Sequence, residues 1–143
     1  MQATWILSRT GKEISGCCIQ AATRDFARFG LFILNGARVD GQSIVPDGWL
    51  AEATTGRTGI GVPGRGYGYQ WWTYADGSFS ARGIFGQGIF IDPKRKIVIA
   101  SNANWGGGAR DPVASEAREA FYRTVQKAID DEAAASRENG QAR

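Results

Sequence analysis

The stretch from residue 67 to residue 104 constrains the fold of this 143-residue chain most strongly. It holds three segments rich in aromatic and β-branched residues, YGYQWWTYA, SFSARGIFGQGIFID and KIVIASNAN. The pair Asp76-Gly77 separates the first two segments and DPKRK the last two, and an Asp-Gly pair in this position predicts a tight hairpin turn. The middle segment is bulged or broken near Gly86. We therefore predict an antiparallel meander of at least three strands.

A helix is predicted before this meander, over residues 22–36. Its apolar residues Phe26, Phe29, Ile33 and Leu34 recur at helical spacing, and Gly36 is typical of a helix end. Thr23 is the expected N-cap. Gly30 weakens the helix by about 1 kcal/mol relative to alanine, which is tolerable if another element packs closely there. Between helix and meander, Asp40-Gly41 predicts a turn between two short extended pieces, and Pro46 predicts the start of a brief helix.

A second long helix is predicted after the meander, from about Pro112 to Glu132. Its expected apolar stripe consists of Ala117, Phe121, Val125, Ala128 and Ile129. The polar residues 133–143 are expected to form a disordered tail. The predicted fold class is thus α+β, an antiparallel β-sheet flanked by N- and C-terminal helices that bury their stripes on it.

The composition excludes several function classes. The chain has no histidine, which removes Ser-His-Asp and Cys-His catalysis and histidine metal sites. Its net charge of +3 comes from scattered basic residues with acidic ones among them, which argues against a nucleic-acid-binding face. No apolar run is long enough to cross a membrane, and no secretory signal is evident. For the sequence as written we therefore expect a cytoplasmic location, with the compartment of any longer parent protein left open, and neither cofactor nor metal.

Cys17 and Cys18 are the only cysteines, and they are adjacent. Neighbouring cysteines make a poor structural disulfide, because the closed loop is minimal and its geometry strained. They also cannot provide the four ligands of a zinc site. We expect two half-buried residues of a reduced protein.

The loop GIGVPGRGYG places Gly59, Gly61 and Gly64 on the spacing G-x-G-x-x-G. A dinucleotide site would need a buried strand before these glycines and a helix after them. Neither pattern is present, so a surface loop leading into a strand is expected, without dinucleotide binding. Gly66 and Gly68, which alternate with tyrosines, suggest a place where another backbone passes close by.

Two stretches together resemble the C-terminal portion of the serine β-lactamase-like hydrolases. This group includes the class C β-lactamases, related esterases, DD-peptidases and 6-aminohexanoate-dimer hydrolases. In residues 16–50, RDFARFG is followed by G...VP..W, and in residues 67–105, YGYQWW is followed by GIFGQGIFIDP. The resemblance implies that residues 1–132 form the C-terminal part of a β-lactamase/transpeptidase-like domain.

The resemblance also implies a serine nucleophile, activated by the lysine of Ser-x-x-Lys and assisted by the tyrosine of Tyr-x-Asn. None of the eight serines in this chain has a lysine at the third following position, and no tyrosine is followed by asparagine two residues on. We therefore expect no catalytic residue within this chain. It resembles the second half of an enzyme, with Met1 corresponding to an internal methionine.

The family's third motif, usually Lys-Thr-Gly or Trp-Gly-Gly, corresponds by its spacing to Ala81, Arg82 and Gly83. The resemblance implies that the backbone N–H of Ile84 is an oxyanion-hole donor, since the edge of a strand can direct an N–H at a developing negative charge. Ala81, Arg82, Gly83 and Phe85 are the candidate substrate contacts. The alternative is that SARGIFGQ is simply a bent core strand.

Two functional hypotheses follow. In the first, the chain is a fragment of a serine hydrolase that cleaves small-molecule amides or esters through an acyl-enzyme, and it is inactive alone. In the second, it is a non-catalytic module that binds ligands or partners. Neither involves nucleic acid or a membrane. An open fragment is also expected to self-associate through exposed sheet surface, with Phe85, Phe90, Trp71 and Trp72 as candidate residues.

Overall fold

The computed structural model describes residues 2–14 and 16–141 and contains ten strands and three α-helices in these ranges. In chain order they are β1 (Ala3–Trp5), β2 (Ile19–Ala21), α1 (Thr23–Leu34), β3 (Arg38–Val39), β4 (Gln42–Ser43), α2 (Trp49–Ala53), β5 (Thr58–Gly59), β6 (Arg65–Tyr67), β7 (Trp72–Tyr74), β8 (Phe79–Arg82), β9 (Gly88–Asp92), β10 (Ile97–Ser101) and α3 (Pro112–Gln141). A 3-10 turn at Gly108–Arg110 precedes α3. The predicted α+β class is confirmed.

The central element is a six-stranded antiparallel sheet with the order β10-β9-β8-β7-β6-β5. The segment YGYQWWTYA, predicted as one strand, forms two, because the chain reverses where Gln70 adopts a positive φ. The expected close approach at the alternating glycines is confirmed. A Cβ at Gly68 would collide with the carbonyl oxygen of Ala53, and one at Gly66 would lie 3.1 Å from that of Thr58. The sheet thus extends two strands further than the predicted meander.

The glycine-rich loop joins β5 to β6, and these two strands pair antiparallel. Gly61 and Gly64 adopt positive φ, which favours glycine at both positions. The element after Gly64 is a strand and not a helix, so the expected surface loop is confirmed. The absence of dinucleotide binding stays a prediction.

Helix α1 packs on one face of the sheet, against β9 and β10. Its Phe26, Ile33 and Leu34 contact a buried cluster formed by Ala53, Trp71, Phe79, Ile89 and Ile91. The prediction is wrong for Phe29, which is 42% exposed. Gly30 is buried, and a Cβ there would lie 2.5 Å from Val98 Cγ1, so the close approach that this glycine required is present. The helix is preceded by Ala22 as its N-cap and begins at Thr23 itself, one residue from the prediction.

Helix α3 packs on the opposite face. Tyr122 stacks on Phe90 with a ring-centroid distance of 4.3 Å, and Gln126 donates a hydrogen bond to Asp92 at 2.7 Å. The predicted stripe is therefore wrong. Phe121 is 53% exposed, whereas Tyr122 is 2% exposed. The helix is rotated by about one residue because this sheet face offers polar groups, with which the polar side of α3 makes hydrogen bonds.

Three further predictions are corrected. Helix α3 continues to Gln141 instead of ending near Glu132, so residues 133–141 of the expected disordered tail are helical, and they include strong helix formers. Residues 142–143 of that tail lie outside the described residues, and the domain limit at residue 132 stays a prediction. The brief helix after Pro46 begins only at Trp49. Cys17 and Cys18, expected to be reduced, are joined by a disulfide next to β2.

The turn at Asp40-Gly41 is confirmed, and both residues adopt the positive φ that such a tight turn requires. In the parts of the chain that the structure describes, no helix has the length and apolar content needed to cross a bilayer.

Candidate active site

The candidate site is the tight turn at residues 83–87, which joins β8 to β9. Gly83 N–H donates to the carbonyl of Gln87 at 2.8 Å, and Gly86 N–H donates to the carbonyl of Gly83 at 3.3 Å. Of the two glycines in the turn, Gly86 is the one whose backbone and surroundings favour glycine, whereas a side chain at Gly83 would require the Gln87 side chain to shift. Gly86 has φ +90°, and a Cβ there would collide with the indole of Trp105, while a Cβ at Gly83 would collide with the side chain of Gln87.

The amides at the apex of this turn differ in their partners. Phe85 N–H donates to Oε1 of Gln87 at 3.1 Å, and the carbonyl of Phe85 accepts from Trp105 N–H at 3.0 Å. Ile84 N–H has no acceptor among the described residues. Ile84 itself is 65% exposed. Gln87 N–H also has no acceptor among the described residues, but Gln87 is half-buried, so Ile84 presents the exposed free donor of the turn, which is the group that an oxyanion hole requires.

The position of β8 in the sheet only partly matches the expected strand edge. β8 lies between β7 and β9, so the strand as a whole is internal, because β5, β6 and β7 extend the sheet beyond it. However, pairing with β7 reaches only as far as Ser80. Ala81 and Arg82 pair with β9 alone, so the strand has a local edge just before the turn.

The five predicted site residues do not all lie together. Gly83, Ile84 and Phe85 share the exposed turn. Ala81 lies on the α1 face, where it packs on the apolar cluster, and Arg82 lies on the α3 face. Because neighbouring residues of a strand point to opposite faces, Ala81 and Arg82 contact different surroundings. Their roles as substrate contacts stay predictions.

Arg82 is held by a network on the α3 face. Its Nη2 donates to Oε1 of Glu119 at 2.7 Å and to the hydroxyl of Tyr74, and its Nε donates to Oγ of Ser80 at 3.1 Å. Its side chain is only 13% exposed. The guanidinium also lies over the ring of Trp72, at 5.1 Å from its centroid. A substrate carboxylate at this site would compete with Glu119 for the same donor.

Glu119 is the centre of this network. It also pairs with Nη2 of Arg65 at 3.0 Å, and it accepts a hydrogen bond from the hydroxyl of Tyr74 at 3.2 Å. Next to it, burial and the nearby charge of Arg82 lower the pKa of Arg118. Burial raises the pKa of Tyr122 to about 12, so its phenol is neutral at physiological pH.

Sequence reasoning missed two residues that contact the turn, Gln87 and Trp105, and three that contact Trp105 or Arg82, namely Arg118, Tyr74 and Glu119. A signal for Glu119 exists, since it shares one helical face with Tyr122 and Gln126 at spacings of three and four residues. That face is polar, so hydrophobic periodicity does not reveal it. For Trp105 the sequence offers no periodic signal.

The arrangement can stabilise a negative oxygen, but it offers no attacking group. Among the described residues, no serine hydroxyl is hydrogen-bonded to a lysine amine. The turn can therefore take part in acyl transfer only when a nucleophile is brought next to Ile84.

Comparison with known proteins agrees with this fold. The family model described as Beta-lactamase matches residues 16–123, which is more than half of the chain. The chain is 28% identical over 114 residues to the 6-aminohexanoate-dimer hydrolase of Paenarthrobacter ureafaciens, covering 72% of the chain and 29% of that protein. It also resembles a solved structure from Bacillus anthracis named as a 6-aminohexanoate-dimer hydrolase. The TM-score is 0.70 and the identity 28%, covering 90% of the chain and 34% of that structure.

The chain thus spans less than two thirds of each relative, 29% of one and 34% of the other. Its sheet and flanking helices have the fold of the matching part of the solved neighbour, as the sequence resemblance implied. The chain belongs to the Beta-lactamase family of hydrolases.

Proposed function

We propose that this chain forms the C-terminal wall of a serine hydrolase site that cleaves amide or ester bonds through an acyl-enzyme. Ile84 N–H would donate to the carbonyl oxygen of the substrate as it becomes negatively charged. The serine nucleophile and its lysine base would come from residues outside this sequence. The free Ile84 N–H at the apex of the fixed turn is the observation that carries the proposal.

The proposed effect of the Ile84 N–H on the reaction is electrostatic. A donor that is already oriented needs no reorganisation when charge develops, so its effect falls on the transition state more than on the substrate. In this turn the amides of Gly83, Phe85 and Gly86 are bonded within the protein, and Ile84 is 65% exposed, so its N–H is a donor available to a ligand. Ile84 and Phe85 are both exposed and would contact the bound substrate.

The substrate class is suggested by the relatives. Both matched proteins are named for hydrolysis of the 6-aminohexanoate dimer, a short linear amide. For this chain we propose short amides or esters as substrates. Arg82 would not bind a substrate carboxylate, since Glu119 and Tyr74 already bind its guanidinium.

The test replaces the aligned segment of the Paenarthrobacter enzyme with residues 2–141 of this chain. Turnover of 6-aminohexanoate dimer and of p-nitrophenyl acetate is then measured. We expect the chimera to be active and the 143-residue chain alone to remain at background. Loss of a nucleophile in a comparable serine hydrolase costs on the order of 10⁶ in rate.

Two variants at one position isolate the donor. Ile84→Pro removes the N–H and should lower kcat roughly 10² to 10³-fold. Ile84→Ala keeps the N–H and should retain most of the activity. Circular dichroism of both variants is the folding control, since proline can also bend the turn. Equal losses of activity in two folded variants would contradict the assignment of Ile84 as the donor.

A non-catalytic binding module remains the second candidate. It is favoured by the exposed apolar side of α3, where Val113 is 74% and Phe121 is 53% exposed. A chimera that folds but shows no turnover at any substrate concentration would favour this alternative.

A further inference from the structure

We infer that Trp105 is a positioning residue that fixes the direction of the Ile84 N–H, and that Arg118 on α3 holds Trp105 in place. This inference rests on the proposed function, because it concerns how the same turn is oriented. It adds a link between the C-terminal helix and the candidate oxyanion donor.

Trp105 contacts the turn directly. The indole lies so close to Gly86 that no Cβ fits between them. In addition, Trp105 N–H donates to the carbonyl of Phe85 at 3.0 Å. Trp105 therefore contacts the turn through both its backbone and its ring, and it determines where Gly86 can lie.

Gly86 is connected to the Ile84 N–H through the carbonyl of Gly83. Gly86 N–H donates to the carbonyl of Gly83 at 3.3 Å. The Gly83 carbonyl and the Ile84 N–H belong to one planar peptide unit, and in a trans peptide they point in opposite directions. A displacement of Gly86 would therefore rotate this unit and change the direction of the Ile84 N–H.

Arg118 contacts the indole ring of Trp105. The guanidinium of Arg118 lies over the indole at 4.6 Å from the ring centroid. A cation over an indole face is a favourable contact, and it is stronger when partly desolvated. Burial lowers the pKa of Arg118, which is consistent with partial desolvation at this position.

The loop after Trp105 supports the other side of the turn. Gly108 N–H donates to the carbonyl of Trp105 at 2.9 Å. A Cβ at Gly108 would lie 3.2 Å from the carbonyl oxygen of Ile84, and φ at this residue is +58°. Residues 105–108 thus pack against the turn at Ile84 O, Phe85 O and Gly86. The Ile84 N–H stays open to a ligand.

The experiment compares Trp105→Ala with Trp105→Phe in the chimeric enzyme. Alanine removes the ring against Gly86, whereas phenylalanine keeps an aromatic ring there. A misplacement of about 1 Å can cost about 10² in rate, so we expect Trp105→Ala to lower kcat about 10- to 100-fold with little change in KM. Phenylalanine should restore most of kcat, and Arg118→Ala should lower it less than Trp105→Ala.

Arg57→Ala is the matched control. Arg57 lies over the ring of Tyr69 at 4.4 Å, so the change removes a similar contact away from the turn. Unchanged kcat is expected for it. A kcat loss in Trp105→Ala no larger than in Arg57→Ala, or no recovery with phenylalanine, would overturn the inference.

A second measurement separates this inference from the proposed function. In ¹⁵N-labelled 143-residue chain, the Ile84 amide resonance should move in Trp105→Ala and return toward its original position in Trp105→Phe. An unmoved Ile84 resonance refutes the positioning role even if activity falls. A moved resonance together with equal activity of Ile84→Pro and Ile84→Ala supports the positioning role and refutes the proposed catalytic one.

Discussion

The two faces of the sheet are built by different physics. On the α1 face, apolar side chains meet apolar side chains, with Phe79, Ile89 and Ile91 under the helix. On the α3 face, Ser80 and Asp92 are fully buried, and Glu119 and Gln126 bond to groups of the sheet. The first face gains stability from burial alone. The second gains it only if each buried polar group has a partner.

This difference decides where the candidate site can be. An apolar face tolerates exchange of residues of similar volume, whereas a polar network fixes direction as well as distance. The turn at residues 83–87 follows β8 and contacts Trp105, and Arg118 of α3 lies over the indole of Trp105. If Trp105 positions the Ile84 N–H as inferred above, the donor is oriented from the α3 side.

The largest expected effect is on the apolar face. Ile91 is fully buried in the cluster beneath α1. Ile91→Ala should lower the free energy of unfolding by about 2–5 kcal/mol, because it removes buried methylenes and leaves a cavity. Urea unfolding followed by circular dichroism measures this. A loss below about 1 kcal/mol would mean that the face collapses easily around the gap.

The next effect is on the polar face. Glu119→Gln leaves Arg82 and Arg65 without their anion, and all three side chains are largely buried. We expect a loss of about 1–3 kcal/mol, below the value for a fully buried pair because some solvent reaches the site.

The control for this prediction is Glu52→Gln. Glu52 and Arg57 form an exposed pair, so the control should change stability by less than about 0.5 kcal/mol. Equal effects of the two substitutions would remove the distinction between a surface pair and the α3-face network.

The difference between the two faces explains which helix contacts could be predicted from the sequence. The α1 contacts were predictable since Phe26, Ile33 and Leu34 recur at helical spacing, and Gly30 marked the close approach. The α3 contacts were not, because the helix buries Tyr122 and Gln126 while its apolar residues face outward. Hydrophobic periodicity finds a helix but assigns its inner side wrongly when polar groups are the partners.

The candidate site was predicted only in part. The position of Ile84 followed from the family resemblance, and the structure leaves its N–H free. The support of the turn did not follow, because Gln87, Trp105 and Arg118 act through contacts between segments that are distant in sequence. Such contacts leave no local pattern.

A smaller effect concerns Tyr122, whose hydroxyl is buried and has no hydrogen-bond partner among the described residues. Tyr122→Phe keeps the ring stacked on Phe90 and removes this hydroxyl. At pH 7 we expect no loss of stability and a gain of up to about 1 kcal/mol. A loss larger than about 1 kcal/mol would mean that the hydroxyl is paired.

The pH dependence gives a second test of this residue. The folded state raises the pKa of Tyr122 from 10.0 to about 12, so the neutral phenol is favoured on folding. Its contribution is complete below pH 10 and is lost as pH rises through 12. The alkaline decrease of stability should therefore be smaller in Tyr122→Phe, as measured by urea unfolding at several pH values. An unchanged profile would contradict the raised pKa.

The smallest expected effect on folding, but a clear one on association, concerns the outer side of α3. Of the four residues named as candidates for an exposed sheet surface, Phe90 is fully buried, Trp71 is 9% exposed and Trp72 is half-buried, whereas Phe85 is exposed. Helix α3 carries three exposed apolar residues, Val113, Phe121 and Ile129, in addition to those on other elements, such as Trp5, Ile19 and Leu31. An apolar helix side without a partner favours association between copies.

Phe121→Ser should therefore weaken self-association of the purified chain about tenfold, which corresponds to about 1.4 kcal/mol, and leave unfolding within about 0.5 kcal/mol. Sedimentation velocity over a concentration series measures this, and Leu31→Ser, an exposed position on α1, is the control. If both substitutions weaken association equally, the contact is not specific to α3. If neither substitution weakens association, the outward-facing apolar residues of α3 do not associate in solution. The orientation of the helix would then serve only to place its polar side against the sheet.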